Sequence, residues 1–351
     1  MNLKITSLML SAASLLFTSF FVNTSPPEKP IDRAWWDALT DEWKNILLIN
    51  QSFSRQQINI YTIQKEYINR LNTRDEQSLS EMNTSLYDLH EAEQFGLSYQ
   101  DMYARAIRRN HLIPHDQIDL ETLEELDTLY MVNGPGDLSP LTKLPNLRVL
   151  IINYCGIGYN IPIKEQILDL TPLKNLKKLR VLHCASSAVR SLEPIRNLTD
   201  LEELVCDNTS IKTLSPLRKL TNLRILSFGS NVAGTADIGH LVNLEALYIK
   251  GSKPLSGVSK LKKLKKLSIA ENELSIVNPD YRYNDIRFLE NFEELTFLDM
   301  QHTSYHGTLH ALSELKNLKA VTLPRAPGAE VSVFKQRNPN CLITNLFTFE
   351  N

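Results

Sequence analysis

Nine segments of the chain share the pattern L-x-x-L-x-L, and this repetition limits the fold more than any other feature. They read LDTLYM from Leu126, LRVLII from Leu147, LRVLHC from Leu179, LEELVC from Leu201 and LRILSF from Leu223. LEALYI from Leu244, LKKLSI from Leu264, LTFLDM from Leu295 and LKAVTL from Leu318 continue the series, the last with Val321 at the second leucine position. Start-to-start spacings are 21, 32, 22, 22, 21, 20, 31 and 23 residues. A second signature lies between the first of them: DLSPLTKLPN, DLTPLKNLKK, SLEPIRNLTD and TLSPLRKLTN. Each unit supplies a short strand, a turn and a return segment. No single unit can bury its apolar edge, so neighbours must stack into one elongated core.

The spacing therefore predicts an α/β leucine-rich repeat solenoid with a curved parallel sheet of about nine repeats. Alternation along a strand points Leu204 and Cys206, or Leu226 and Phe228, inward, and the residues between and beside them onto the concave face. Strands about 4.8 Å apart give a sheet roughly 40 Å along. Proline in the return segment (Pro140, Pro172, Pro194, Pro216) suits a tight extended or one-turn helical backing, where no N–H donor is needed. The two long spacings place insertions near Gly158–Gln166 and Ser275–Tyr283. Residues 126–330 form the repeats. Residues 331–351 leave the pattern as a carboxy-terminal cap, with a final strand expected at Leu342–Thr344.

The amino-terminal third is different. Residues 26–125 carry a net charge of −8 and residues 126–351 one of +5. Met1–Thr24 reads as a cleaved signal peptide, because Lys4 precedes an uncharged run from Ile5 to Val22. An uncleaved membrane anchor is the competing reading of that run. Over residues 25–125 the apolar residues recur at helical steps, as in Trp35, Trp36, Leu39, Trp43, Ile46 and Leu47. This region is read as a small all-helical unit that covers the first repeat, its tryptophans serving as core.

The 22-residue form with L-x-P-L-x-x-L-x-x-L resembles that of the bacterial internalins and the eukaryotic phosphatase-regulatory repeat proteins. The whole layout, with WWDALTDEWKNIL ahead of the repeats and FKQRNPNCLI after them, resembles secreted bacterial leucine-rich repeat proteins. The resemblance implies an exported protein that is secreted, periplasmic or at the cell surface. It departs from the family at the repeat's asparagine position, which holds Cys155, Ser187, Thr209, Asn231, Ser252, Asn272, Thr303 and Ala326. A less regular ladder on the same fold is expected from this.

Catalytic chemistry has no constellation here: G-x-S-x-G, Walker, H-E-x-x-H and Rossmann patterns do not occur. No enzyme activity, cofactor or metal is expected. His302, His306 and His310 have an i, i+4 spacing that would suit zinc on a helix, but Gly307 interrupts them. Cys184 and Cys206 share the inward position of adjacent repeats, within disulfide range, and are read as a free buried pair. The lysine run from Lys260 to Lys266 keeps the repeat register and reads as the solvated side of one repeat. A net charge of −2 argues against nucleic acid as a partner.

What remains is a binding module. A protein ligand, or a glycan, is expected on the concave face at Tyr130, Val149, Ile151, Val181, His183, Val205, Asp207 and Tyr248. These positions read as an exposed stripe, apolar in its first half, of the kind that marks interfaces. A cell-surface scaffold or spacer is the competing reading, and contact with a membrane is expected only through the amino-terminal segment.

Overall fold

The computed structural model describes residues 31–55, 115, 118–157, 166–229, 231–251, 255–269, 286–301, 303, 309–323 and 328–344. The Met1–Thr24 segment, the helical region after residue 55 as far as residue 114, the insertions over 158–165 and near Ser275–Tyr283, His302 and His306 lie outside them.

Ten short strands form one parallel sheet in chain order. They are β1 (Thr128–Tyr130), β2 (Val149–Ile151), β3 (Val181–His183), β4 (Glu203–Cys206) and β5 (Ile225–Phe228). β6 (Ala246–Ile249), β7 (Lys266–Ser268), β8 (Phe297–Asp299), β9 (Ala320–Thr322) and β10 (Leu342–Thr344) complete it. Each L-x-x-L-x-L segment holds one strand, and the register pairs identical repeat positions: Leu150, Leu182, Leu204, Leu226, Leu247, Leu267 and Leu298 follow one another. All seven are wholly buried. Burial of each contributes about 1.5–3 kcal/mol, which a lone repeat could not realise.

The return segments are single-turn 3-10 helices, among them Ser139–Lys143, Thr171–Asn175, Glu193–Ile195 and Ser215–Lys219. Each of these four carries its proline in the first turn, where the missing N–H costs nothing. The residue two before each start supplies a polar oxygen that accepts the first backbone N–H. Asp137 accepts from Ser139, Asp169 from Thr171, Ser191 from Glu193 and Thr213 from Ser215. The D-L-S-P motif is thus a side-chain-capped turn.

Past β1 to β4 the backbone turns left-handed at Asn133, Tyr154, Ser186 and Asn208, and past β6 at Gly251. The residue after that turn is the repeat's asparagine position. Asn231 donates to Thr209 O at 2.7 Å. Ser187, Thr209 and Thr303 instead donate their hydroxyls to Cys184 O, Cys206 O and Met300 O of their own turns. The Cys155 thiol reaches Met131 O at 3.3 Å. A different donor therefore satisfies each buried carbonyl, and the fold persists without the asparagine ladder.

Helix α1 (Arg33–Ala38) is N-capped by Asp32, whose carboxylate accepts from Trp35 N. Helix α2 (Asp41–Arg55) follows, and α3 (Leu120–Glu124) leads into β1. Trp36, Trp43, Ile46 and Leu47 are buried in the same core as the repeat leucines. The Trp43 indole donates to Asp137 O at 3.0 Å. Asn50 closes the sheet edge. Its amide nitrogen donates to Tyr130 O at 3.0 Å and its oxygen accepts from Tyr130 N at 2.8 Å. One side chain so takes the place of a neighbouring strand at β1, the liability of every open edge. Asn50 also heads an N-x-S sequence, but its burial closes it to modification in the folded chain.

At the other end, α4 (Gly328–Arg337) buries Val331 and Phe334 before β10 pairs with β9. The final strand at Leu342–Thr344 is present as expected. Among the described residues no helix is long and apolar enough to cross a membrane.

Candidate functional site

Three rows of side chains run across the sheet face away from the 3-10 helices. The first is Arg148, Arg180, Glu202, Arg224, Glu245 and Lys265, linked through backbone N–H donation from each residue to the carbonyl of its predecessor. The second, one residue on, is Val149, Val181, Glu203, Ile225, Ala246 and Lys266. The third is Tyr130, Ile151, His183, Val205, Ser227, Tyr248, Ser268 and Asp299.

The expectation of an exposed apolar stripe is corrected here. Tyr130 and Ile151 are each only 1% exposed, packed with Ile49 and Phe53 of α2, and Val149 packs against the same group. The residue pattern of α2 gave its core face but not that its other flank reaches over the sheet. Further along, Val181, His183, Val205, Asp207 and Tyr248 are buried as well. Side chains on strands about 4.8 Å apart shield their neighbours, so facing away from the core does not make a position exposed.

The buried polar residues are arranged in pairs. The His183 ring nitrogen lies 2.7 Å from Glu203 Oε1, both side chains almost inaccessible. Ser227 donates its hydroxyl to Asp207 Oδ2, and Ser268 donates to Asp299 Oδ2 at 2.9 Å. Asp207 Oδ1 is buried with no hydrogen-bond donor. Burial pushes the Asp207 carboxyl up from its ordinary range, against the pull of Ser227, Lys250 and His183. Burial likewise raises the Tyr248 hydroxyl, with the charge of Glu203 adding to it.

The first row is an alternating ion-pair ladder. Arg180 meets Glu202 at 2.7 Å, and Glu245 takes both Arg224 at 2.6 Å and Lys265 at 3.0 Å. Partial burial pushes the Glu245 carboxyl up, but hydrogen bonds and charge from Lys265 and Arg224 outweigh this and hold it below its usual range. This ladder is not among the features expected from the sequence, though its signal stands there. The residue after the first leucine reads Arg, Glu, Arg, Glu, Lys through LRVL, LEEL, LRIL, LEAL and LKKL.

Between the first two rows, across β3–β7, lies a cavity of about 270 Å³. Val181, Ile225 and Ala246 give it an apolar floor, Tyr248 closes one side, and the ion-pair ladder rims the other. Of the ligand positions expected from sequence, Val181 and Tyr248 line this cavity. His183 stands beside it through Glu203, Val205 and Asp207 lie in the rows beyond, and Tyr130, Val149 and Ile151 belong to the helix-covered end. Lys266, read as one of a solvated run, lines the cavity as well.

The four cysteines, Cys155, Cys184, Cys206 and Cys341, are unbonded and buried. Burial pushes the Cys155 thiol up to about 12, the Cys341 thiol up to about 11, and those of Cys184 and Cys206 well up too. They are filling groups, protonated and unreactive. His310 packs its Nδ1 3.0 Å from Arg337, and no metal-binding group of side chains occurs among the described residues.

The model of the family described as "Leucine-rich repeat region" matches residues 125–328. The chain belongs to the leucine-rich repeat proteins. No curated protein matches it in sequence. Among solved structures it is similar to internalin C2 of Listeria monocytogenes, at 19% identity and a TM-score of 0.43, over 65% of this chain and 84% of that one. It is also similar to the leucine-rich repeat ectodomain of the plant receptor kinase GASSHO1/SCHENGEN3 of Arabidopsis thaliana, solved in complex with Casparian strip integrity factor 2. There the identity is 20% and the TM-score 0.46, over 63% of this chain and 27% of that one. A Leptospira interrogans leucine-rich repeat protein matches at 18% identity and a TM-score of 0.40, over 58% and 62%.

Proposed function

We propose that this leucine-rich repeat protein is an exported binding module that holds a protein ligand on the middle of its concave face, across β3–β7. The observation that carries this reading is the cavity over Val181, Ile225 and Ala246. It joins an apolar floor to a rim of charges, the composition of a protein interface with a dry centre and a polar edge. Among the described residues α2 packs over the first two strands, and the cavity lies over the middle ones. Export rests on the uncharged run from Ile5 to Val22 behind Lys4.

Replacing Val181 and Ile225 together by serine should lower capture of a protein partner at least tenfold, about 1.4 kcal/mol. Partners are to be sought by affinity capture from culture medium and cell-surface extracts, then measured by surface plasmon resonance. Replacing Lys174 and Lys219, on the 3-10 helices opposite, should leave capture unchanged. A scaffold or spacer would instead recover further copies of itself, and would be indifferent to the serine variant.

A further inference from the structure

The charges of the cavity narrow the chemistry of the partner. Every other charged group in its lining has a polar partner within the fold: Glu202 meets Arg180, Glu203 the His183 ring, and both Arg224 and Lys265 meet Glu245. Lys266 does not. It lines the cavity and is half-buried, and among the described residues no carboxylate lies within ion-pair distance of it. Burial alone acts on its ammonium group and lowers its proton affinity, with no opposing charge to restore it. A half-buried cation without a partner is costly, and an arriving carboxylate relieves that cost.

The spacing says how such a ligand is laid out. Val181, Glu203, Ile225, Ala246 and Lys266 are register partners on five successive strands. The aliphatic side chains Val181 and Ile225 and the cation Lys266, which all line the cavity, therefore recur at every second strand, about 9.6 Å apart at about 4.8 Å per strand. A polyproline II peptide advances about 3.1 Å per residue with three residues per turn, which returns a side chain to the same face every 9.3 Å or so. A β-strand repeats its face about every 6.6 Å and drifts out of step. Glu203, held by His183, stands between the two aliphatic positions and repels an acid placed at that end.

Resting on the concave-face reading, we infer that this row takes an extended, polyproline-like acidic peptide segment of a partner protein. Aliphatic side chains at i and i+3 seat on Val181 and Ile225, and an Asp or Glu at i+6 pairs with Lys266.

The probe is the fluorescein-labelled peptide Leu-Pro-Ala-Leu-Pro-Ala-Glu, amidated at its end so that the side chain is the only carboxylate in the segment. Its counterpart ends in Gln. Fluorescence anisotropy on the full chain, up to about 1 mM protein, should show the Glu peptide binding at least tenfold tighter than the Gln peptide. Lys266→Met should bring the Glu peptide down to the Gln level while leaving the Gln peptide unchanged. Lys266→Arg should restore the preference, and Lys262→Met, at an exposed lysine of the same run, should keep it. If the methionine variant does not fold, Lys266→Gln serves in its place. Equal affinity for the two peptides, a preference that survives loss of Lys266, or no binding by either peptide overturns the assignment. In each of those cases, a captured partner that still depends on Val181 and Ile225 leaves the binding face standing. Indifference to those two residues removes the face as well.

Discussion

Leu204→Asp is expected to abolish the cooperative thermal transition of the repeats. Leu204 is wholly buried at the centre of β4, between Leu182 and Leu226 in the register. An unpaired carboxylate there costs several kcal/mol, against a total stability of about 5–15 kcal/mol for a folded protein. In a solenoid the damage spreads, because each repeat draws its stability from its interfaces with the two neighbours. Glu203→Ala, one position away, is expected to cost less, about 1–3 kcal/mol, by leaving the buried His183 without its carboxylate partner. Position 203 faces away from the core, and alternation alone would make it neutral. Arg148→Ala, at an exposed position in the first row, should change stability by no more than about 0.5 kcal/mol. Urea titrations followed by circular dichroism rank the three. Equal losses at positions 203 and 204 would mean that the strand register is wrong.

Trp43→Ala is expected to cost about 3–5 kcal/mol, although Trp43 lies outside the repeats. Its ring is almost fully buried against the first repeat, and its indole N–H satisfies Asp137 O, the residue that caps the first 3-10 turn. Its loss loosens α2, and with it the Asn50 amide on the β1 edge and the cover over Tyr130 and Ile151. Cys155, buried behind that edge, reports the event directly. Its thiol should react with Ellman's reagent at least tenfold faster in the variant, while Cys206, deep in the middle repeats, should not change. Stability and thiol reactivity like those of the parent chain would show that the helices are an appendage and not a cap.

The repeat leucines made the strands, their order and their register legible, because nine copies of one pattern leave little freedom in how they stack. The tenth strand could be placed from the break in pattern near Val331. The face of the sheet was harder to read. Sequence alternation says which way Val181 or Asp207 points, but exposure depends on the neighbouring rows, and these crowd on a parallel sheet. The cover over Tyr130 and Ile151 comes from Ile49 and Phe53, residues about 80–100 positions earlier that show only helical periodicity. In the sequence Asn50 shows only the N-x-S pattern. Its pairing with both backbone groups of Tyr130 is a tertiary contact with no local signature. The ion-pair ladder was the reverse case: it stood in the alternation of charges after each first leucine, and becomes visible once repeats are compared column by column.

Photo-cross-linking tests the binding face most directly. Benzoylphenylalanine is placed at Arg180, which pairs with the rim residue Glu202, or at Lys265 on the rim itself, and at Lys174 or Lys219, on the opposite 3-10 helices. After incubation with a captured partner and irradiation, cross-links to that partner should form from positions 180 and 265 and be absent from 174 and 219. Cross-links from 174 and 219 alone would place the partner on the convex side and contradict the assignment of the concave face.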